Sequence, residues 1–370
     1  MDLLDAPVTA LARRLRMGEL RSVDLVEAHI ARIQAVNPAL NALVADRFEL
    51  ARAEAQAADK RLAASSMDDD LPPLLGVPCT IKEFLKTAGM PHTGGIAWMA
   101  DGIADTDATV TARLKAAGAI ILGVTNIPEG GLWMETYNSI YGRTRNPWDL
   151  SRTSGGSSGG EAALIASGAS PFGIGSDVGG SIRIPAAFCG TVGHKPTGGL
   201  VPNTGHFPAE VPGGAGGYLT TGPMTRTVDD AWLILKILAG EDGLDPACRP
   251  MTLGDPSTVD ISKLRVLPMH STGRVWVWRD IRAHIDIAAD SLAQAGATIE
   301  TPDLPLMKYA FDIWAAMLSD ISTKSYSEIL AQSGKMNPWW ELLRVFTGFG
   351  RHTFAALILA GTDQLVDILP

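Results

Sequence analysis

Residues 151–222 hold 19 of the 39 glycines in this chain of 370 residues. Glycine lets a backbone adopt positive φ or approach a ligand closely, at a cost in conformational entropy. A flexible linker has a similar richness in glycine, but linkers lack anchors. Here the glycines are threaded with Ile, Val, Phe and Pro, and with Asp177, Arg183 and Lys195. The stretch therefore reads as a rigid segment that forms part of a site.

The segments around it alternate in type. Residues 74–81 read as a buried strand led in by Gly76-Val77-Pro78, and 107–118 as a helix ending at Gly118. Residues 119–125 are apolar without interruption, as in strands inside a sheet. Residues 159–168 suit a short helix and 171–176 a strand. Strand, helix and strand recur over 264–269, 279–295 and 297–301. This order predicts an α/β fold, an α/β/α sandwich with a mixed central sheet. Residues 1–70 read as a helical N-terminal part. Ser22 caps a helix with Val26, Ile30 and Ile33 on one face, Asn37-Pro38 breaks it, and a second helix covers 42–64. Residues 65–73 read as an acidic loop.

Composition narrows the function. Hydrophobic residues make up 46% and charged residues 19%, which suits a large core. The net charge is −9 and no Lys/Arg run stands out, which argues against nucleic acid as a partner. Cys79, Cys189 and Cys248 are too scattered for a disulfide framework or a zinc site, and fit a reducing, cytoplasmic compartment. The seven histidines lack metal-ligand spacing, so no metal is expected. The N-terminus does not read as a signal peptide, and no spanning helix is expected.

Three segments carry candidate chemistry. Gly155 to Glu161 lacks the Gly-Lys-Ser/Thr of a phosphate loop. It satisfies G-x-S-x-G around Ser157 and again around Ser158. A nucleophile elbow needs a strand before it, however, and 145–153 reads as a loop. Gly175 to Pro185 sets successive backbone N–H groups beside the Ser181 hydroxyl, as acyl transfer requires. A helix cap is the plainer reading of Ser181. Lys82 ends an apolar strand, where an ammonium is costly. It either snorkels or pairs with Glu83, or burial lowers its pKa until it acts as a base.

Together these segments, from Lys82 through the Gly/Ser-rich stretch to His194-Lys195-Pro196-Thr197, resemble the amidase signature family. The resemblance implies a single amidase-type domain over 1–370 with a catalytic core at 74–227. Members generally continue further, so a chain ending at Ile368-Leu369-Pro370 is expected to lack the C-terminal part of that domain. The resemblance also implies a Ser-cis-Ser-Lys triad of Ser181 as nucleophile, Ser157 as bridge and Lys82 as base. The backbone of Val178, Gly179, Gly180 and Ser181 would form the oxyanion hole, with no metal or cofactor. The expected reaction is hydrolysis of a small-molecule carboxamide, with an apolar acyl or aryl part, through an acyl-enzyme.

Glu161, the run Gly199 to Pro208 and the tail Asn337 to Leu343 look like the branch that includes fatty-acid amide hydrolases. Val345, Phe346, Phe349, Phe354, Leu357 and Ile358 follow the tail. By that likeness Trp314, Met317, Leu318, Trp339 and Phe346 are candidate acyl-pocket walls. Residues 338–358 read as ordinary helix core or as a peripheral membrane contact, and a homodimer is a further candidate assembly. Two other readings share the motif: a glutamine-hydrolysing component of a tRNA-dependent amidotransferase, and an inactive truncated paralogue.

Overall fold

The computed structural model describes residues 3–66, 68–208, 217–301, 303–321, 325–334, 336–347 and 350–366. Phe349 and Ile368-Leu369-Pro370 lie outside the described residues, as does the side chain of Phe346. The chain forms two compact units, one of Met1–Met251 with Thr323–Pro370 and one of Thr252–Ser322.

The first unit opens with α1 (Val8–Arg16), α2 (Ser22–Leu40), β1 (Leu43–Asp46) and α3 (Phe48–Ala63). Then come β2 (Pro78–Lys82), α4 (Thr109–Ala116), β3 (Ile120–Thr125) and a small hairpin of β4 (Tyr137–Asn138) and β5 (Gly142–Arg143). The glycine-rich region supplies α5 (Gly159–Ala166), β6 (Phe172–Asp177), α6 (Arg183–Cys189), β7 (Val192–Gly193) and β8 (Thr220–Thr225), followed by α7 (Val228–Leu238). The main sheet runs β1-β3-β2-β6-β8-β7. Its centre is parallel, β3 with β2 and β2 with β6, while β1, β8 and β7 pair antiparallel. This is an α/β fold with a mixed central sheet. Every residue of β2, β3, β6 and β8 is buried. Burial on both faces is why β3 reads as a continuous apolar run and shows no alternation.

Val26, Ile30 and Ile33 of α2 share one face, as their spacing predicts. They pack with Ala51 and Ala55 of α3, Ile120 and Leu122 of β3, and Ala163 and Leu164 of α5. The expected second helix starts only at Phe48, because Leu43–Asp46 pair with β3 as β1. Asn37-Pro38 does not end α2 either. Pro38 sits inside its last turn, and the break falls at Asn41 with φ 52°. Asn37 Oδ1 accepts from the N–H groups of Ala42 and Leu43, both at 2.8 Å, and so directs the chain into the sheet. A strand of four residues is too short to display a period, which hid β1 in the sequence.

The second unit contains β9 (Arg265–Val266), α8 (Arg279–Gln294), β10 (Thr298–Ile299) and α9 (Ala310–Ile321), with β9 and β10 parallel. The chain then returns to the first unit as α10 (Tyr326–Leu330), α11 (Pro338–Phe346) and α12 (Phe354–Val366). Glu129, buried after β3, anchors this return. Its carbonyl accepts from the Tyr326 hydroxyl at 2.8 Å. Its carboxylate meets His352 Nδ1 and the Thr353 N–H, each at 2.6 Å. Tyr326, Leu330, Met336, Ala356, Leu357 and Ala360 thereby pack with Phe84, two residues beyond Lys82. The other side of this segment exposes Trp339, Trp340, Leu343, Phe354 and Ile358. Among the described residues no helix is long and apolar enough to cross a membrane.

Candidate active site

Lys82 is the last residue of β2 and is fully buried. Its Nζ lies 2.7 Å from Ser157 Oγ, 3.0 Å from Ser176 Oγ and 3.4 Å from the Ser176 carbonyl. It also sits 4.9 Å from the centre of the Phe84 ring. Burial brings its pKa down from 10.5 to about 7, against the opposing pull of Asp177 and of Glu161 when ionised. An amine taken from water into a dry interior loses the hydration that stabilises its charge, so the neutral form gains. Glu83 is not its partner. That carboxylate is also buried, and it is held by the N–H and hydroxyl of Thr93.

Ser157 lies in the turn before α5 and follows a cis peptide bond from Gly156. The next residue, Ser158, donates its N–H to the Ser181 carbonyl at 3.0 Å. The turn carrying Ser157 is thus tied by backbone to the turn carrying Ser181. Ser181 is half-buried, and its hydroxyl makes no hydrogen bond among the described residues. The structure therefore brings Lys82 and Ser157 into direct contact and places Ser181 in the adjoining turn without a direct bond to Ser157.

The Ser181 turn owes its shape to Asp177 at the end of β6. One carboxylate oxygen accepts from the Gly180 N–H at 2.8 Å, and the other from the Ile182 N–H at 3.1 Å. Arg183 adds a bidentate pair, Nε at 3.0 Å and Nη2 at 2.9 Å. Burial works to raise the pKa of Asp177, but the bonds from Arg183, Gly180 and Ile182 outweigh it and hold the carboxylate below its ordinary value. Gly180 has φ 121°, and a Cβ there would meet Ile184 Cδ1 at 2.7 Å, so only glycine suits the turn.

This wiring bears on the four expected oxyanion donors. The Gly180 N–H is already committed to Asp177. The N–H groups of Val178, Gly179 and Ser181 have no hydrogen-bond partner among the described residues. Three donors on one tight turn can converge on a developing oxyanion.

Sequence reasoning named Asp177 only as an anchor of the glycine-rich stretch and gave Ser176 no role. An Asp three residues before a Gly-Ser pair is a turn signal that pointed to Asp177. Nothing local marked Ser176, whose role comes from lying across the sheet from Lys82. Of the candidate pocket walls, Trp314, Met317 and Leu318 lie on α9 of the second unit, and Trp339 and Phe346 on α11 of the first. Among the described residues no cluster of His, Cys, Asp or Glu converges as a metal site would require.

Comparison with known proteins identifies the family. The family model described as Amidase matches residues 24–353. Fatty-acid amide hydrolase 2-B of Danio rerio is 41% identical over 372 residues, spanning 97% of this chain and 69% of that protein. A glutamyl-tRNA(Gln) amidotransferase subunit of Roseiflexus sp. (strain RS-1) is 40% identical over 318 residues, spanning 85% of this chain and 63% of that protein. The solved structure of a bacterial aryl acylamidase of the amidase signature family superposes with a TM-score of 0.76 at 30% identity, over 97% of this chain and 75% of that one. The chain thus spans roughly two thirds to three quarters of these relatives' lengths.

Proposed function

The chain belongs to the amidase signature family, enzymes acting on amide C–N bonds, and on that premise we propose that it hydrolyses a carboxamide with Ser181 as nucleophile, Ser157 as bridge and Lys82 as base. The observation that carries this is the 2.7 Å contact of Ser157 Oγ with a buried lysine whose pKa lies at about 7. A neutral amine has two N–H groups and one lone pair. The two N–H groups suit the Ser176 carbonyl and hydroxyl, and the lone pair then faces the Ser157 O–H. Lys82 takes that proton, Ser157 takes the proton of Ser181, and Ser181 attacks the carbonyl carbon. The N–H groups of Val178, Gly179 and Ser181 receive the oxyanion. The proton returns to the leaving amine, and water, deprotonated by the same relay, releases the carboxylate.

The substrate we assign is an apolar acyl or aryl amide. The likeness to a fatty-acid amide hydrolase and an aryl acylamidase supports this. The apolar surface of α11 and α12 supports a peripheral membrane contact near 338–358, and three free, buried thiols support a reducing compartment. A second reading, glutamine hydrolysis for an amidotransferase, is favoured by the likeness to the Roseiflexus protein. A fluorophosphonate probe with peptide mass spectrometry should label the peptide spanning 176–183, and a label on Ser157 or Ser158 would overturn the assignment. Each added substrate CH₂ should raise kcat/KM up to about fourfold, since its burial contributes ~0.8 kcal/mol. A preference for glutamine over long acyl amides would select the second reading.

A further inference from the structure

Glu161 takes no part in the relay, yet it is fully buried against the sheet that carries Lys82. It lies in the first turn of α5, which packs on β2 and β6. Its Oε1 is 2.9 Å from Thr125 Oγ1, and its Oε2 is 2.6 Å from Thr80 Oγ1. Thr125 is the register partner of Lys82 on β3, and Thr80 precedes Lys82 by two residues on the same face of β2. Gly173, paired with Thr80 on β6, makes the room. A Cβ there would come within 1.8 Å of Oε2.

The order of the protons follows from the acceptors. Ser170 Oγ is 2.7 Å from the Phe172 carbonyl, which can only accept, so the single hydroxyl hydrogen of Ser170 is used there. Thr80 Oγ1 is 3.2 Å from Ser170 Oγ, a contact in which Thr80 is the available donor. With its hydrogen on Ser170, Thr80 accepts across the 2.6 Å contact and the hydrogen there belongs to Glu161; turned to Glu161 instead, the same hydrogen would meet a carboxylate. Thr125 donates to the other carboxyl oxygen.

We propose that Glu161 is a positioning residue: a buried carboxylic acid, kept protonated by the Thr80–Ser170–Phe172 chain, that adds no second negative charge to that of Asp177 near Lys82 and so favours the amine of Lys82. This rests on the reading of Lys82 as base. An ionised Glu161 would stabilise the ammonium and withdraw that base. Burial acts in the same sense and pushes the Glu161 carboxyl up to about 8. The titratable groups around it are few. From β2 come Lys82 and Cys79, whose thiol burial also raises. Asp177 at the end of β6 is met by Arg183. The nearest residues of β3 and β6, Thr125 and Gly173, bring no charge.

Infrared difference spectroscopy on the full chain tests the proton directly. The wild type should show a carboxylic-acid band at neutral pH that Glu161→Gln lacks. Ser170→Ala frees the Thr80 hydrogen to turn toward Glu161 and favours the carboxylate. The band should weaken, and the midpoint of the kcat/KM–pH profile should move alkaline by about one unit, a roughly tenfold loss on its acid side. Adding Glu161→Gln to Ser170→Ala should return the midpoint, because the amide donates to Thr80 and carries no charge. Loss of packing at Ser170 would not be reversed in this way. Absence of the band in the wild type would overturn the proposal, as would an acid shift of about one unit in Glu161→Gln alone. The band is read without substrate, so it is distinguishable from failure of the Lys82 reading, which appears as full activity in Lys82→Ala.

Discussion

Removing the amine of Lys82 should remove both the activity and its dependence on pH. An exposed lysine has a pKa near 10.4, so at pH 7 roughly one molecule in 2,500 carries a free amine. Burial moves Lys82 to about 7, where about half of the molecules carry it. The protonated form cannot take the Ser157 proton. Activity is therefore absent at low pH and rises as pH climbs through 7. Below the midpoint log kcat/KM should fall by about one per pH unit, leaving roughly a tenth at pH 6 and a hundredth at pH 5. The assay is kcat/KM for a chromogenic anilide across pH 5 to 9, with circular dichroism to confirm that each variant is folded. Lys82→Ala should lose most activity and the titration with it. Lys82→Arg should not restore it, because guanidinium stays charged. The same shift has a stability consequence. Between pH 7 and 10.5 the unfolded chain binds more protons at this residue than the folded one, so this contribution to stability rises with pH across that window. Lys82→Met should therefore be inactive and yet melt no lower than the wild type at pH 6. A folded Lys82→Ala variant with normal activity and an unchanged profile would refute the relay.

Asp177→Ala should release the Gly180, Ile182 and Arg183 groups that shape the nucleophile turn. We expect kcat to fall by about a hundredfold or more, the scale of losing one oxyanion donor, and stopped-time assays on the folded variant will measure it. Ile33→Ala opens a cavity between α2, α3 and β3 and should cost about 2–5 kcal/mol in urea unfolding. The kcat/KM of its folded fraction should be unchanged, because the cavity lies in the α2 core cluster, which contains neither Lys82 nor the serine turns.

Much of the frame of the candidate site is legible in the primary structure. The unbroken apolar run ending at Lys82 predicts a buried strand, and the spacing of Val26, Ile30 and Ile33 predicts the face α2 turns inward. The glycines around Ser181 predict a turn with open backbone. These are properties of neighbours in the chain, and local periodicity records them. Other features depend on residues far apart in sequence. Ser157 stands 75 residues and Ser176 94 residues from Lys82. Glu129 meets His352 across 223 residues. Only the folding of the sheet sets Thr80, Thr125 and Gly173 around Glu161, where the carboxyl loses its water and keeps its proton. The commitment of Gly180 to Asp177 is likewise a matter of where a β-strand ends and a turn begins in space. The sequence alone determined which residue types could do the chemistry. The tertiary structure decided their protonation and their pairing, because both depend on burial and on contacts made across the sheet.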